Sequence, residues 1–162
     1  MQIKIRRARP DEARALTDLS MRAKRSNGYD GAFMEACRAE LTVTPSSMAE
    51  DEYWVAESDT LCGCVCLIDN RDGASGEVHA FFIDPAKQRQ GIGRLLWRKV
   101  VERAKAKGLA MLHLDADPFA VPFYEAMGFV VVGEAPSGSI EGRILPRMEF
   151  RLQAARRLSC GR

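Results

Sequence analysis

The stretch from Phe81 to Gly108 constrains this chain more than any other. An apolar run, Phe81-Phe82-Ile83, stops at Asp84-Pro85, because proline has no N–H for a strand ladder. Gln88-Arg89-Gln90-Gly91-Ile92-Gly93 follows and opens a long helix. That helix carries Leu95, Leu96, Val100, Val101 and Ala104 as an apolar stripe, and Gly108 ends it as a C-cap residue does. A strand must therefore pass into an amphipathic helix through a turn with two glycines. The first N–H groups of a helix have no internal partner and sit at the positive end of its dipole, so such a turn accepts an anion. Gly91 and Gly93 lack the Cβ that would hold an anion away, and Arg89 and Arg94 add charge at the rim. A tight strand-to-helix connection needs the same glycines, so the turn alone supports only an anion site. It lacks the Gly-Lys-Ser/Thr ending of a P-loop and the third glycine of a dinucleotide fingerprint.

The rest of the chain alternates between the two periodicities. Gln2 to Arg7 reads as a strand; a helix opened by Arg9-Pro10-Asp11-Glu12 follows, with Ala13, Leu16, Leu19 and Ala23 on one side. Asp30 caps a second helix through about Leu41, and Pro45-Ser46-Ser47 reads as a loop. Tyr53–Glu57 and Thr60–Ile68 form a hairpin, and Glu77–Ile83 is the next strand. Beyond the long helix come a strand over Leu109–Asp115, a helix ended by Gly128, and strands near Phe129–Glu134 and Leu145–Leu152. Hairpins early and a strand-helix-strand unit late predict an α/β (α+β) domain with a mixed sheet, spanning residues 1–152. Residues 153–162 form a short basic tail.

Composition excludes several classes. A net charge of +2, with basic residues scattered, gives no nucleic-acid footprint. The apolar stretches are strand-sized and too short to span a bilayer, and the N-terminus lacks the apolar h-region of a signal peptide, so a cytoplasmic location is expected. Five cysteines, an odd number, argue against a disulfide framework. Cys62, Cys64 and Cys66 alternate along a strand and so should share one face, where they read as core residues and not as metal ligands.

Two blocks carry a family resemblance. Gln88-Arg89-Gln90-Gly91-Ile92-Gly93, with Pro85 ahead of it, resembles the Gln/Arg-x-x-Gly-x-Gly/Ala signature of the GNAT acetyltransferases. Phe123-Tyr124-Glu125-Ala126-Met127-Gly128-Phe129 resembles that family's second block, and the likeness covers about Tyr53 to Phe150. It implies the GNAT fold: a mostly antiparallel sheet of about seven strands, flanked by about four helices and splayed at the cofactor site. It further implies acetyl-CoA as cosubstrate, no metal, and transfer of acetyl to the primary amine of a small molecule by direct attack in a ternary complex. Alternatives are a non-catalytic acyl-CoA-binding module, or acetylation of a protein N-terminus or lysine. Homodimers are common in the family.

By the same resemblance, the amides of Gln88, Arg89, Gln90, Gly91, Ile92, Gly93 and Arg94 hold the CoA pyrophosphate, and the backbone of Phe81, Phe82 and Ile83 pairs with the pantetheine arm. Tyr124 stands where the family places its general acid. Glu77 stands at the spacing of the catalytic glutamate of histone-acetylating members; His79 shares its face, and Glu77, His79 or a water could take the amine proton. Asp117 replaces the family's pantetheine-contacting asparagine, and Asp117-Pro118 also reads as an N-cap and first turn. Tyr29, Asp30, Glu35, Glu40 and Arg143 are candidates for the acceptor wall.

Overall fold

The computed structural model describes residues 2–153. The basic tail, with Cys160, lies outside the described residues apart from its first residue, Gln153. The seven strands are β1 (Lys4–Arg7), β2 (Glu52–Glu57), β3 (Leu61–Asp69), β4 (Ser75–Ile83), β5 (Met111–Asp115), β6 (Val130–Pro136) and β7 (Ile144–Arg151). They make one sheet in the order β1-β2-β3-β4-β5-β7-β6. Every pairing is antiparallel except β4 with β5, which runs parallel across the long helical crossover.

The helices are α1 (Ala13–Arg25), α2 (Gly31–Leu41), α3 (Pro45–Glu50), α4 (Ile92–Ala106) and α5 (Val121–Ala126). Helix α1 buries Ala13, Leu16, Leu19 and Ala23, the stripe its spacing predicts, together with Ser20. Ser20 is buried at no loss of hydrogen bonding because its hydroxyl donates to Leu16 O at 2.8 Å. Helix α2 starts as expected: the Asp30 carboxylate accepts from Phe33 N at 2.8 Å. Residues Pro45-Ser46-Ser47 are not a loop but the first turn of α3. Thr44 caps it, its hydroxyl accepting from Ser47 N at 3.1 Å while Thr44 N donates to the Ser47 hydroxyl. Proline is well placed at the first helical position, where its missing N–H is not needed.

Both faces of the sheet are covered. On one side α4 and α5 bury Leu96, Trp97, Val100, Tyr124 and Phe129 against Val65, Leu67, Val78 and Leu112. Trp97 is buried where Leu95 and Val101 are only partly so, its ring tilted against Phe129 and edge-on to Phe150 at 5.1 and 5.0 Å between ring centroids. On the other side α1 and α3 cover Val55, Cys64 and Cys66. The three cysteines therefore do not share a face. Ala56 pairs with Gly63 and Glu57 with Leu61, so Cys62 is the extra residue of a β-bulge and turns into the opposite core. A bulge breaks the two-residue period on which the one-face expectation depended. Among the described residues no group of His, Cys, Asp and Glu side chains is arranged to hold a metal, and no helix is long and apolar enough to cross a membrane.

Candidate active site

Strands β4 and β5 begin as neighbours and then part. Ser75 pairs with Met111, Gly76 with Leu112 and Glu77 with His113; past Glu77 no further pair joins them among the described residues. The edge of β4 from residue 78 to 83 thus faces an opening, with polar backbone groups available to a ligand. A second bulge lies in this segment. Cys64 pairs with Phe82 and Cys66 with His79, so Ala80 and Phe81 together oppose Val65. Ala80 takes φ +50°, a left-handed conformation that costs a non-glycine residue about 1–2 kcal/mol. The bulge also redirects the side chains: Phe81 packs in the core beneath α4, while Ala80 and Phe82 pack on the α1 side.

The opening leads into a cavity of about 670 Å³. Its floor is β4 from Glu77 to Ile83, and the signature turn and the start of α4 close one end. The turn holds two left-handed residues, Arg89 at φ +65° and Gly91 at φ +77°. Left-handed residues within a turn are the backbone element from which anion-binding nests of successive N–H groups are built. Gly91 is the N-cap of α4, and its φ is the reason for glycine there, since a Cβ would meet nothing within 4 Å. Gly93 is glycine for another reason: a Cβ would lie 2.8 Å from Cε2 and Cζ of Phe123. Gly93 thus lets the Phe123 ring of α5 close onto the turn. Gln88, Arg89, Gly91, Ile92, Gly93 and Arg94 all line the cavity; Gln90 is exposed and is not part of its wall.

Tyr124 reaches the cavity from α5 although its side chain is otherwise buried, at 8% exposure. Burial, and secondarily the negative charge of Asp117, push its phenol well above the ordinary tyrosine value, so the group keeps its proton. The helix begins irregularly, as its prolines predict: a 3-10 turn over Pro118–Ala120 precedes α5, and Pro122 sits in the first turn. Glu77 and His79, both half-buried, line the floor on the face shared with Cys66 and Ile68.

Asp117 binds several elements at once. It caps the 3-10 turn by accepting from Phe119 N at 3.0 Å, and it accepts from the Tyr29 hydroxyl at 2.9 and 3.0 Å. Lys24 Nζ lies 3.5 Å and an Arg143 nitrogen 3.8 Å from its Oδ2. Arg143 also donates to the Tyr29 hydroxyl at 2.6 Å and lies over the rings of Tyr29 and Phe33, themselves stacked at 4.0 Å. Burial, then the neighbouring Asp117, pushes the Tyr29 phenol up to about 12. The loop 137–143 is bound to α2 as well: Ile140 packs against Met34, Cys37 and Leu41, and Ser139 Oγ donates to Cys37 Sγ at 3.6 Å. Ser137, Gly138, Ser139 and Arg143 of this loop line the cavity. Of the sequence candidates for this wall, Glu40 and Arg143 line the cavity and Tyr29 stands behind Arg143. Asp30 is used as the cap of α2 and Glu35 pairs with Arg38 on the surface, so neither lines it. Lys24 and Tyr53 line the cavity and were missed. Lys24 follows Ala23 in the α1 stripe and reads there as a solvated flank, and Tyr53 reads as an ordinary strand residue.

The chain is similar in sequence and fold to known proteins. Residues 27–152 match the acetyltransferase (GNAT) domain family. The chain is 35% identical over 141 residues to the peptidyl-lysine N-acetyltransferase YjaB of Salmonella typhimurium, covering 83% of this chain and 88% of that protein. The PaiA N-acetyltransferase of Thermoplasma acidophilum, solved with coenzyme A, superposes with a TM-score of 0.75 at 21% identity, covering 93% of this chain and 99% of the other. YncA of Salmonella typhimurium, a putative acetyltransferase solved with acetyl-CoA, superposes with a TM-score of 0.67 at 20% identity over 96% of each chain.

Proposed function

The chain belongs to the GNAT acetyltransferase family, and from that premise we propose that it moves acetyl from acetyl-CoA to the primary amine of a small molecule bound under the loop 137–143. The observation that carries this reading is a single cavity joining an anion-binding turn, an unpaired strand edge and a buried protonated tyrosine. The residues fit the donor. The inward amides between Gln88 and Arg94 would hold a pyrophosphate, with Lys87, Arg89 and Arg94 near it. The β4 edge at Phe81, Phe82 and Ile83 would pair with an amide-bearing arm as a strand pairs. When bound, acetyl-CoA supplies an activated thioester. The chain's own groups supply the rest. A backbone N–H near the Ala80 bulge is a fixed donor for an oxygen that gains negative charge. Tyr124 keeps its proton for a departing thiolate. Glu77, directly or through water, takes the proton of the acceptor ammonium, with His79 two residues along the same strand.

The packing of the loop 137–143 onto α2 narrows the acceptor end, which supports a small acceptor. A second reading, a lysine on a protein, is favoured by the specificity that the Salmonella relative's name carries. One experiment separates them: CoA release is followed with a panel of small primary amines and with a lysine-containing peptide. Turnover confined to the peptide removes the small-molecule reading. Binding of acetyl-CoA without turnover on any amine removes the enzymatic assignment of Tyr124 and Glu77.

A further inference from the structure

The end of the cavity away from the signature turn holds separated charges of both signs. Lys24 and Arg143 share one carboxylate, Asp117, at 3.5 and 3.8 Å, and Tyr29, its phenol raised to about 12, contributes no negative charge. Asp117 is also occupied, accepting from Phe119 N and from the Tyr29 hydroxyl. The Arg143 guanidinium offers five N–H donors. Among the described residues its one side-chain hydrogen bond is the 2.6 Å contact with Tyr29. No buried side-chain nitrogen in the described residues lacks a partner, so the unused Arg143 nitrogens are accessible, on a residue that lines the cavity. The group is nonetheless fixed, its side chain 18% exposed and its carbon 5.1 and 4.9 Å from the Tyr29 and Phe33 ring centroids. A planar, pre-oriented guanidinium with free donors is the geometry that binds a carboxylate through two bonds. The remaining carboxylates of this end are Glu40, beside Gly138 at the rim, and Glu77 on the floor; neither forms an ion pair among the described residues, and Asp115 is 3.8 Å from Arg147. The cavity therefore presents both signs of charge to a ligand.

We propose that the acceptor is an amino-carboxylate, its carboxylate received by Arg143 with Lys24 beside it and its amine facing Glu77. The proposal rests on the small-amine reading above and names the substrate class of that same site. No new chemistry is required, since the carboxylate only binds.

The test offers the full-length enzyme paired amines that differ by a carboxylate, with acetyl-CoA in excess: lysine and cadaverine, ornithine and putrescine, phenylalanine and phenethylamine. For the best pair, kcat/KM is higher for the carboxylate-bearing member by about tenfold to a hundredfold, the scale of a charged hydrogen bond. Arg143→Gln removes that preference while CoA affinity, read by calorimetry, stays within about twofold, far from the tenfold scale of a lost charged contact. Arg143→Lys keeps the charge but not the fork, so it retains part of the preference; if the glutamine variant melts early, the lysine variant carries the comparison. Equal or better turnover of the decarboxylated partners overturns the proposal and leaves the small-amine reading standing. A preference that survives Arg143→Gln, or an equal fall in CoA affinity, also overturns it, the second by assigning Arg143 to the donor. Turnover of a lysine peptide with none of the paired amines removes both readings together.

Discussion

Arginine meets carboxylate at two places in this protein, and the two are built differently. Where β1 meets the start of α1, Arg6 donates to Glu12 at 2.9 and 2.8 Å and to Glu57 at 2.8 Å, and Arg9 lies 3.5 Å from Glu12. Arg6 spends its donors on two carboxylates and on Arg7 O, and Arg9 pairs with Glu12 and Asp11. Around Asp117 two cations share one carboxylate at longer range, and Arg143 keeps most of its donors. The first cluster is complete without a ligand and holds strand to helix. The second lines a cavity, and its free donors are available to the acceptor carboxylate proposed above. Satisfied buried charges therefore belong to the scaffold, and unsatisfied, pre-oriented ones belong to the site.

Breaking the two clusters should give opposite phenotypes. Glu12→Gln is expected to cost about 1.5–3 kcal/mol, because it removes one of the two carboxylates that hold a nearly buried Arg6 and leaves Glu57 alone to do so, and to lower the melting temperature by roughly 3–12 °C with kcat unchanged. Its pH dependence sharpens the point. Hydrogen bonding from Arg6 lowers the Glu12 carboxyl from 4.5 to about 2. The stabilisation is then fully present above about pH 4.5 and is lost as the pH falls towards 2. Urea midpoints between those values should fall for the natural protein and stay flatter for the glutamine variant; parallel curves would remove Glu12 as the cause.

In the site, Tyr124→Phe should lower kcat about a hundredfold, or about 2.7 kcal/mol, with stability held. CoA affinity dropping by the same factor would make Tyr124 a binding residue instead of an acid. Gly93→Ala should cost about 1–3 kcal/mol, since its Cβ meets the Phe123 ring at 2.8 Å, and it should weaken CoA binding by moving α5 off the turn. A variant with natural stability and CoA affinity would show that the ring yields freely. A smaller stability effect than at the first cluster is expected at the second. Arg143→Gln should change unfolding free energy by less than about 1 kcal/mol, because its carboxylate is shared and distant. A loss as large as that of Glu12→Gln would erase the distinction between the clusters.

Much of this was legible before any coordinates. The α1 stripe, the Asp30 cap, the strand-to-helix turn and the irregular start of the Tyr124 helix follow from spacing, capping chemistry and proline geometry, all local. Misreadings arose where a local rule met a competing one. Pro45 reads as a breaker until Thr44 is recognised as a cap. Cys62 leaves the face of Cys64 and Cys66 because a bulge adds one residue to β3, and nothing in an apolar run announces a bulge.

The signature turn shows where the division lies. Sequence alone determined that a strand ends at Ile83, that a helix starts at the glycines, and that an anion can be received between them, because these depend on neighbours along the chain. Only the tertiary structure decided why each glycine is there: Gly91 for its positive φ, Gly93 for the ring of Phe123. Only it brought Lys24, Tyr29, Asp117 and Arg143 together, residues as far apart as 114 positions in the Tyr29–Arg143 contact. Charge balance is a sum over whatever the fold gathers, so a chain read in order cannot show which charge is left without a partner.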